Sequence, residues 1–66
     1  MDIELNGAPH SVGDDHNVFD LIASLELANK ALAVAVNREV VPRELWQQRV
    51  LQPLDRVDIV RAIGGG

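Results

Sequence analysis

Only one stretch of this chain repeats its apolar residues at helical spacing. Val18, Leu21, Ile22 and Leu25 recur at i, i+3, i+4 and i+7. The other apolar segments read as strands. A single helix covers one face of a sheet and leaves the other to solvent. The expected fold is therefore two-layered and α+β, a mixed sheet of four to five strands with one main helix packed on one face. The 66 residues suffice for one thin core. Hydrophobic residues at 47% against charged ones at 24% make that core a folded one rather than a disordered coil.

Met1, Ile3 and Leu5 alternate with Asp2, Glu4 and Asn6, the period of a half-buried strand. Asn6-Gly7 then supplies two residues that tolerate positive φ, the strongest short hairpin signal. A two-residue turn would set Leu5 opposite Ala8, Ile3 opposite His10 and Met1 opposite Val12. Pro9 lacks a backbone donor, which assigns the returning strand, residues 8–12, to a sheet edge. Asn17 suits a helix N-cap, Asp20 puts negative charge in the first turn, and Asn29 can end the helix in a left-handed conformation. The helix is expected over residues 18–27. A third strand follows at 31–36, with Leu32, Val34 and Val36 on the helix side and small alanines on the other. Asn37-Arg38 punctuates, 39–41 reads as a short strand, and Pro42 stops it. Residues 43–56 are irregular, with one helical turn around 44–47. Leu45, Trp46, Val50 and Leu51 are expected to close one end of the core. The last strand spans 57–62.

The chemistry available to side chains is narrow. With no cysteine there is no disulfide, no thiolate metal site and no thiol nucleophile. Ser11, Ser24, His10 and His16 fall on separate elements without an orienting triad. Asp14-Asp15-His16 are adjacent, so their side chains diverge, and no metal is expected. Trp46 reads as core. The net charge of -4 argues against nucleic acid as a partner. The longest apolar run, residues 31–36, is far short of the roughly 18 residues that cross a membrane. The expected compartment is the cytoplasm. Charge is also polarised: the first 29 residues hold six acids and no base, and the remainder holds six bases and four acids.

The unusual feature is the end. Ala62 and Ile63 lead into Gly64, Gly65 and Gly66 directly after an apolar strand. The expected division is a body over residues 1–62 and an extended tail over 63–66. From Ala62 the tail would reach roughly 16 Å at about 3.3 Å per residue. Without Cβ atoms, Gly64 and Gly65 can thread a passage too narrow for other residues. The group at the tip is the Gly66 α-carboxylate, ionised near neutral pH. A carboxylate is a poor electrophile. Converted to an acyl-adenylate it gains a good leaving group, and sulfur can then displace AMP to leave a thiocarboxylate.

The chain resembles the ThiS family of sulfur carriers of thiamine biosynthesis. The resemblance rests on Ile3-x-Leu5-Asn6-Gly7, on Val18-x-x-Leu21-Ile22, and on the block from Ala33 through Val41-Pro42-Arg43-Glu44. Asp55-Arg56-Val57-Asp58-Ile59 and the end Ala62-Ile63-Gly64-Gly65-Gly66 complete it. The loop at 13–17 departs from the family as slightly longer, with asparagine where threonine is common at the cap. The resemblance implies a ubiquitin-like β-grasp fold, with the first and last strands parallel and adjacent at the sheet centre. It implies a carrier rather than an enzyme. A ThiF-type adenylyltransferase would activate Gly66 with ATP and magnesium, which belong to that partner; no cofactor is expected on this chain. A cysteine desulfurase or other persulfide donor would supply sulfur, and a ThiG-type thiazole synthase would receive it. The expected docking face is the open side of the sheet, with Ala33, Ala35 and Val60 beside Arg61, Ile63 and Arg43. Alternative readings are a molybdopterin-synthase small subunit, a ubiquitin-like modifier of protein lysines, and an interaction module with an inert tail.

Overall fold

The computed structural model describes residues 1–61. Strands β1 (Asp2–Leu5), β2 (Ala8–Ser11), β3 (Leu32–Val36), β4 (Glu39–Val40) and β5 (Arg56–Arg61) form one sheet in the order β2-β1-β5-β3-β4. Helix α1 (Val18–Ser24) packs on one face. β1 and β5 run parallel at the centre and the other neighbours are antiparallel, as the β-grasp resemblance requires.

The first hairpin keeps the expected register, with Leu5 opposite Ala8 and Ile3 opposite His10. Asn6 (φ 49°) and Gly7 (φ 86°) both take the left-handed conformation that a tight two-residue turn needs. Pro9 lies on the edge strand β2. Asn37 (φ 52°) and Arg38 (φ 70°) build a second turn of this kind, which sets Val36 opposite Glu39 and Ala35 opposite Val40. β4 has two residues rather than three. Val41 leaves the strand, buries its side chain and donates its N–H to the Val34 carbonyl at 2.8 Å.

α1 is shorter than its apolar stripe predicts. Its start is as expected and better fastened. The Asn17 side chain accepts from the Asp20 N–H at 2.8 Å, and the Asp20 carboxylate accepts from the Asn17 N–H at 3.0 Å, a reciprocal capping box. Its end lies at Ser24, not at residue 27, because Glu26 rather than Asn29 takes the left-handed conformation (φ 60°). Glu26 N–H then reaches the Ala23 carbonyl at 3.0 Å and Leu27 N–H the Ile22 carbonyl at 3.1 Å. This pairing closes the last carbonyls and turns Leu27 back onto the core.

The core comprises Ile3, Val18, Leu21, Ile22, Val34, Val36, Val41, Trp46, Leu51 and Val57. Trp46 and Leu51 close one end as expected, but Leu45 and Val50 are exposed. The reason lies in the connection after β4. It forms a 3-10 turn at Arg43–Leu45, one residue before the expected helical turn, and this turn aims Trp46 inward. The Trp46 indole N–H donates to the Val41 carbonyl at 2.9 Å. The same segment satisfies the free donors of α1: Val18 N–H reaches the Arg49 carbonyl (3.0 Å) and Phe19 N–H the Trp46 carbonyl (3.2 Å). The irregular stretch is a lid on the helix N-terminus. The expected tail, residues 63–66, and the end of the last strand at Ala62 lie outside the described residues.

Candidate functional site

Alternation along the two longest strands builds the open face. Val57 and Ile59 of β5 and Val34 and Val36 of β3 turn toward α1. Ala33, Ala35, Asp58 and Val60 turn away from it. Register sets Ala33 opposite Val60 and Ala35 opposite Asp58. Val40, 72% exposed, stands opposite Ala35 and extends the apolar strip onto β4. Val60 is 65% exposed. The strip is therefore Val40, Ala35, Ala33 and Val60, with side chains too short to cover one another. Toward β1 the face becomes charged. Arg56 meets Glu4 at 3.3 Å and Asp58 at 4.0 Å, half-exposed pairs of little energetic weight.

At the end of β5 the strip opens into a hollow of about 420 Å³ lined by Ala31, Leu32, Ala33, Arg43, Val60 and Arg61. The structure thus brings together Ala33, Arg43, Val60 and Arg61, which are far apart in sequence. Ala35 lies one pairing further along the same face. Ile63, Gly64, Gly65 and Gly66 lie outside the described residues. Arg43 is also held within the molecule. Its guanidinium donates to the Ala28 carbonyl at 3.0 Å and the Lys30 carbonyl at 2.6 Å, and lies 4.5 Å from the centre of the Trp46 ring. It clamps the connection between α1 and β3 and forms one wall of the hollow. Among the described residues neither Arg43 nor Arg61 has a carboxylate within 4.0 Å.

The last strand outruns β1. Its pairing with β1 ends at Leu5 opposite Val57, and the Asn6 side chain carries the ladder one step further by accepting from the Ile59 N–H at 2.8 Å. Val60 and Arg61 pair with β3 alone. The chain thus leaves the sheet beside the hollow, flanked on one side only. Two contributors escape a reading of the sequence. Val40 was legible in principle, since a two-residue turn at Asn37-Arg38 dictates its place opposite Ala35. Asn6 was legible only as a turn residue, because its bond to Ile59 spans most of the chain. Asp14, Asp15 and His16 do not converge: among the described residues no cluster of three or more His, Asp or Glu side chains could hold a metal ion. No described helix is long and apolar enough to cross a membrane.

The geometry can be set beside known proteins. The model of the ThiS family matches residues 3–66. A thiazole synthase of Magnetococcus marinus is 38% identical over 66 residues; the match takes in all of this chain but only 20% of that protein. The sulfur carrier protein ThiS of Escherichia coli is 30% identical over 66 residues, 100% of both chains. That of Bacillus subtilis is 36% identical over 53 residues, 80% of each. The crystal structure of a thiamine biosynthesis protein (ThiS) from Geobacter metallireducens superposes with a TM-score of 0.85, at 30% identity and full coverage of both chains. With a central last strand, one helix on a five-stranded mixed sheet, and a match that runs through the glycine end, this chain belongs to the ThiS family.

Proposed function

We propose that the chain is a sulfur carrier of thiamine biosynthesis, acted upon by enzymes rather than being one. The observation that carries this reading is the extent of the family match. It runs to residue 66, so the glycine end is part of what is shared rather than an appendage. In the proposed cycle the Gly66 carboxylate attacks the α-phosphate of ATP on a ThiF-type adenylyltransferase, with magnesium held by that enzyme. An acyl-adenylate forms and pyrophosphate leaves. The terminal sulfur of a persulfide, from a cysteine desulfurase or other donor, displaces AMP. A thiol then cleaves the resulting acyl disulfide, releasing the Gly66 thiocarboxylate and a mixed disulfide. The thiocarboxylate delivers its sulfur to a thiazole synthase. A thiazole synthase that carries a region 38% identical to this chain supports that choice of acceptor.

The body positions the tail. Val60 and Arg61 end the central strand, and Gly64 and Gly65 offer no side chain to a narrow entrance. Ala33, Ala35, Val60 and the hollow with Arg43 and Arg61 form the docking surface, continued by Ile63. An apolar strip with two arginines at its edge suits repeated, reversible association with more than one enzyme. The cytoplasm is the proposed compartment.

The test is intact-mass measurement after incubation with the adenylyltransferase, magnesium-ATP, a persulfide source and a thiol. The expected result is a mass gain equal to replacement of one oxygen by sulfur, absent in a chain lacking Gly66. No gain in the full chain, or the same gain without Gly66, overturns the proposal. In cells, loss of the gene is expected to impose a thiamine requirement.

A further inference from the structure

Leu54 stands out in the described structure for two separate reasons. It is 84% exposed, the highest value among the large hydrophobic side chains exposed at the surface. It also sits at φ 67°, a left-handed conformation that a residue with a bulky side chain rarely adopts. The turn that holds it is over-determined. Asp55 N–H bonds to the Gln52 carbonyl at 3.1 Å, and the Asp55 carboxylate accepts from the Gln52 N–H at 2.8 Å. Asp55 is buried and accepts again from the Asn37 amide at 2.9 Å. Leu54 N–H is tied to the Asp2 carbonyl at 2.8 Å. A strained backbone persists where its surroundings enforce it, and such positions concentrate at functional sites.

Leu54 forms part of a shallow hollow of about 490 Å³ with Asp2, Ile3, Glu4, Gly7 and Pro9. This hollow lies at the start of β5, and the arginine-walled hollow lies at its end. The two are roughly 20 Å apart along the strand at about 3.3 Å per residue. Its charge has the opposite sign. Asp2 has no cationic partner within 4.0 Å among the described residues, and Glu4 shares Arg56 with Asp58. An apolar knob held rigid beside two carboxylates fits a partner that offers an apolar side chain flanked by arginine or lysine. Rigid presentation lowers the ordering cost of such a contact.

We propose that Leu54 is a second anchor for the enzyme that activates Gly66, which grips the carrier at both ends of β5 and sets an apolar residue with an adjoining base against Leu54, Asp2 and Glu4. This rests on the sulfur-carrier reading. Two grips at the two ends of one strand fix the direction in which the tail points, which a single apolar strip cannot do.

The experiment compares wild type with Leu54→Gly and Leu54→Asn in the thiocarboxylate assay, with the carrier concentration varied, and records thermal unfolding of each. Both substitutes tolerate positive φ, so the fold is retained. The unfolding midpoint of Leu54→Gly is expected to rise by a few degrees. KM for the carrier is expected to rise roughly tenfold in both variants with kcat little changed, the size of losing one buried leucine contact. Asp2→Asn is expected to raise KM about threefold and to flatten its dependence on salt. An unchanged KM in both Leu54 variants overturns the inference, whatever their stability. A wild-type chain that gains no sulfur at all overturns the underlying function instead, so the two failures are distinguishable.

Discussion

At the scale of single residues, left-handed backbone recurs in this domain. Asn6, Glu26, Asn37, Arg38 and Leu54 all have positive φ without being glycine. Asparagine tolerates this conformation through local hydrogen bonding of its short side chain. Asn37 shows the benefit: its carbonyl oxygen accepts from the Arg56 N–H at 3.0 Å and its amide donates to Asp55 at 2.9 Å, which ties the end of β3 to the start of β5. Glu26 has no such compensation among the described hydrogen bonds of its side chain. Glu26→Gly is therefore expected to stabilise the domain. Relief of about 1–2 kcal/mol of strain exceeds the roughly 0.4–1 kcal/mol returned as added freedom of the unfolded chain. The unfolding midpoint should rise by a few degrees in thermal denaturation followed by circular dichroism. A fall would mean that the Glu26 side chain contributes something its geometry does not reveal.

At the scale of elements, the segment between β4 and β5 does more than connect them. Its carbonyls cap α1 and its Trp46 fills the core. Arg43 fastens the connection between α1 and β3 through two carbonyls and the indole face. Arg43→Ala is expected to cost about 1–2 kcal/mol, the size of two charge-assisted bonds at an exposed site plus a cation–π contact. Arg43→Lys should recover little, because an ammonium cannot span both carbonyls as the planar fork does. Chemical denaturation of the three proteins checks this. Equal midpoints would assign Arg43 to partner contact alone. In either case Arg43 keeps its place in the wall of the hollow, so any loss in loading must be read against the measured loss of stability.

At the scale of the whole molecule, one strand joins stability to function. β5 lies at the sheet centre between β1 and β3, buries Val57 completely, and ends beside the hollow from which the tail departs. Its inward residues hold the fold and its outward residues are free for partners, so the two roles separate by substitution. Val60→Gln is expected to shift stability by no more than about 0.5 kcal/mol, as for other surface changes. In the loading assay the same change should raise KM for the carrier several-fold, since it puts a polar group into the apolar strip. A drop in the unfolding midpoint of more than a few degrees would show that the open face contributes to the fold itself.

Period-two and period-3.6 patterns in the sequence were enough to determine the number of layers, the single helix, the first hairpin with its register, the edge position of Pro9 and the membership of the alanine face. These follow from local rules, because side-chain direction alternates along a strand and turns have strict φ requirements. The end of α1, the lid over its first turn, the exposure of Leu45 and Val50, the clamp made by Arg43 and the bond from Asn6 to Ile59 were decided by tertiary structure. Each depends on which backbone donors and acceptors are left unpaired once the elements meet, and that is set by segments as far apart as residues 6 and 59.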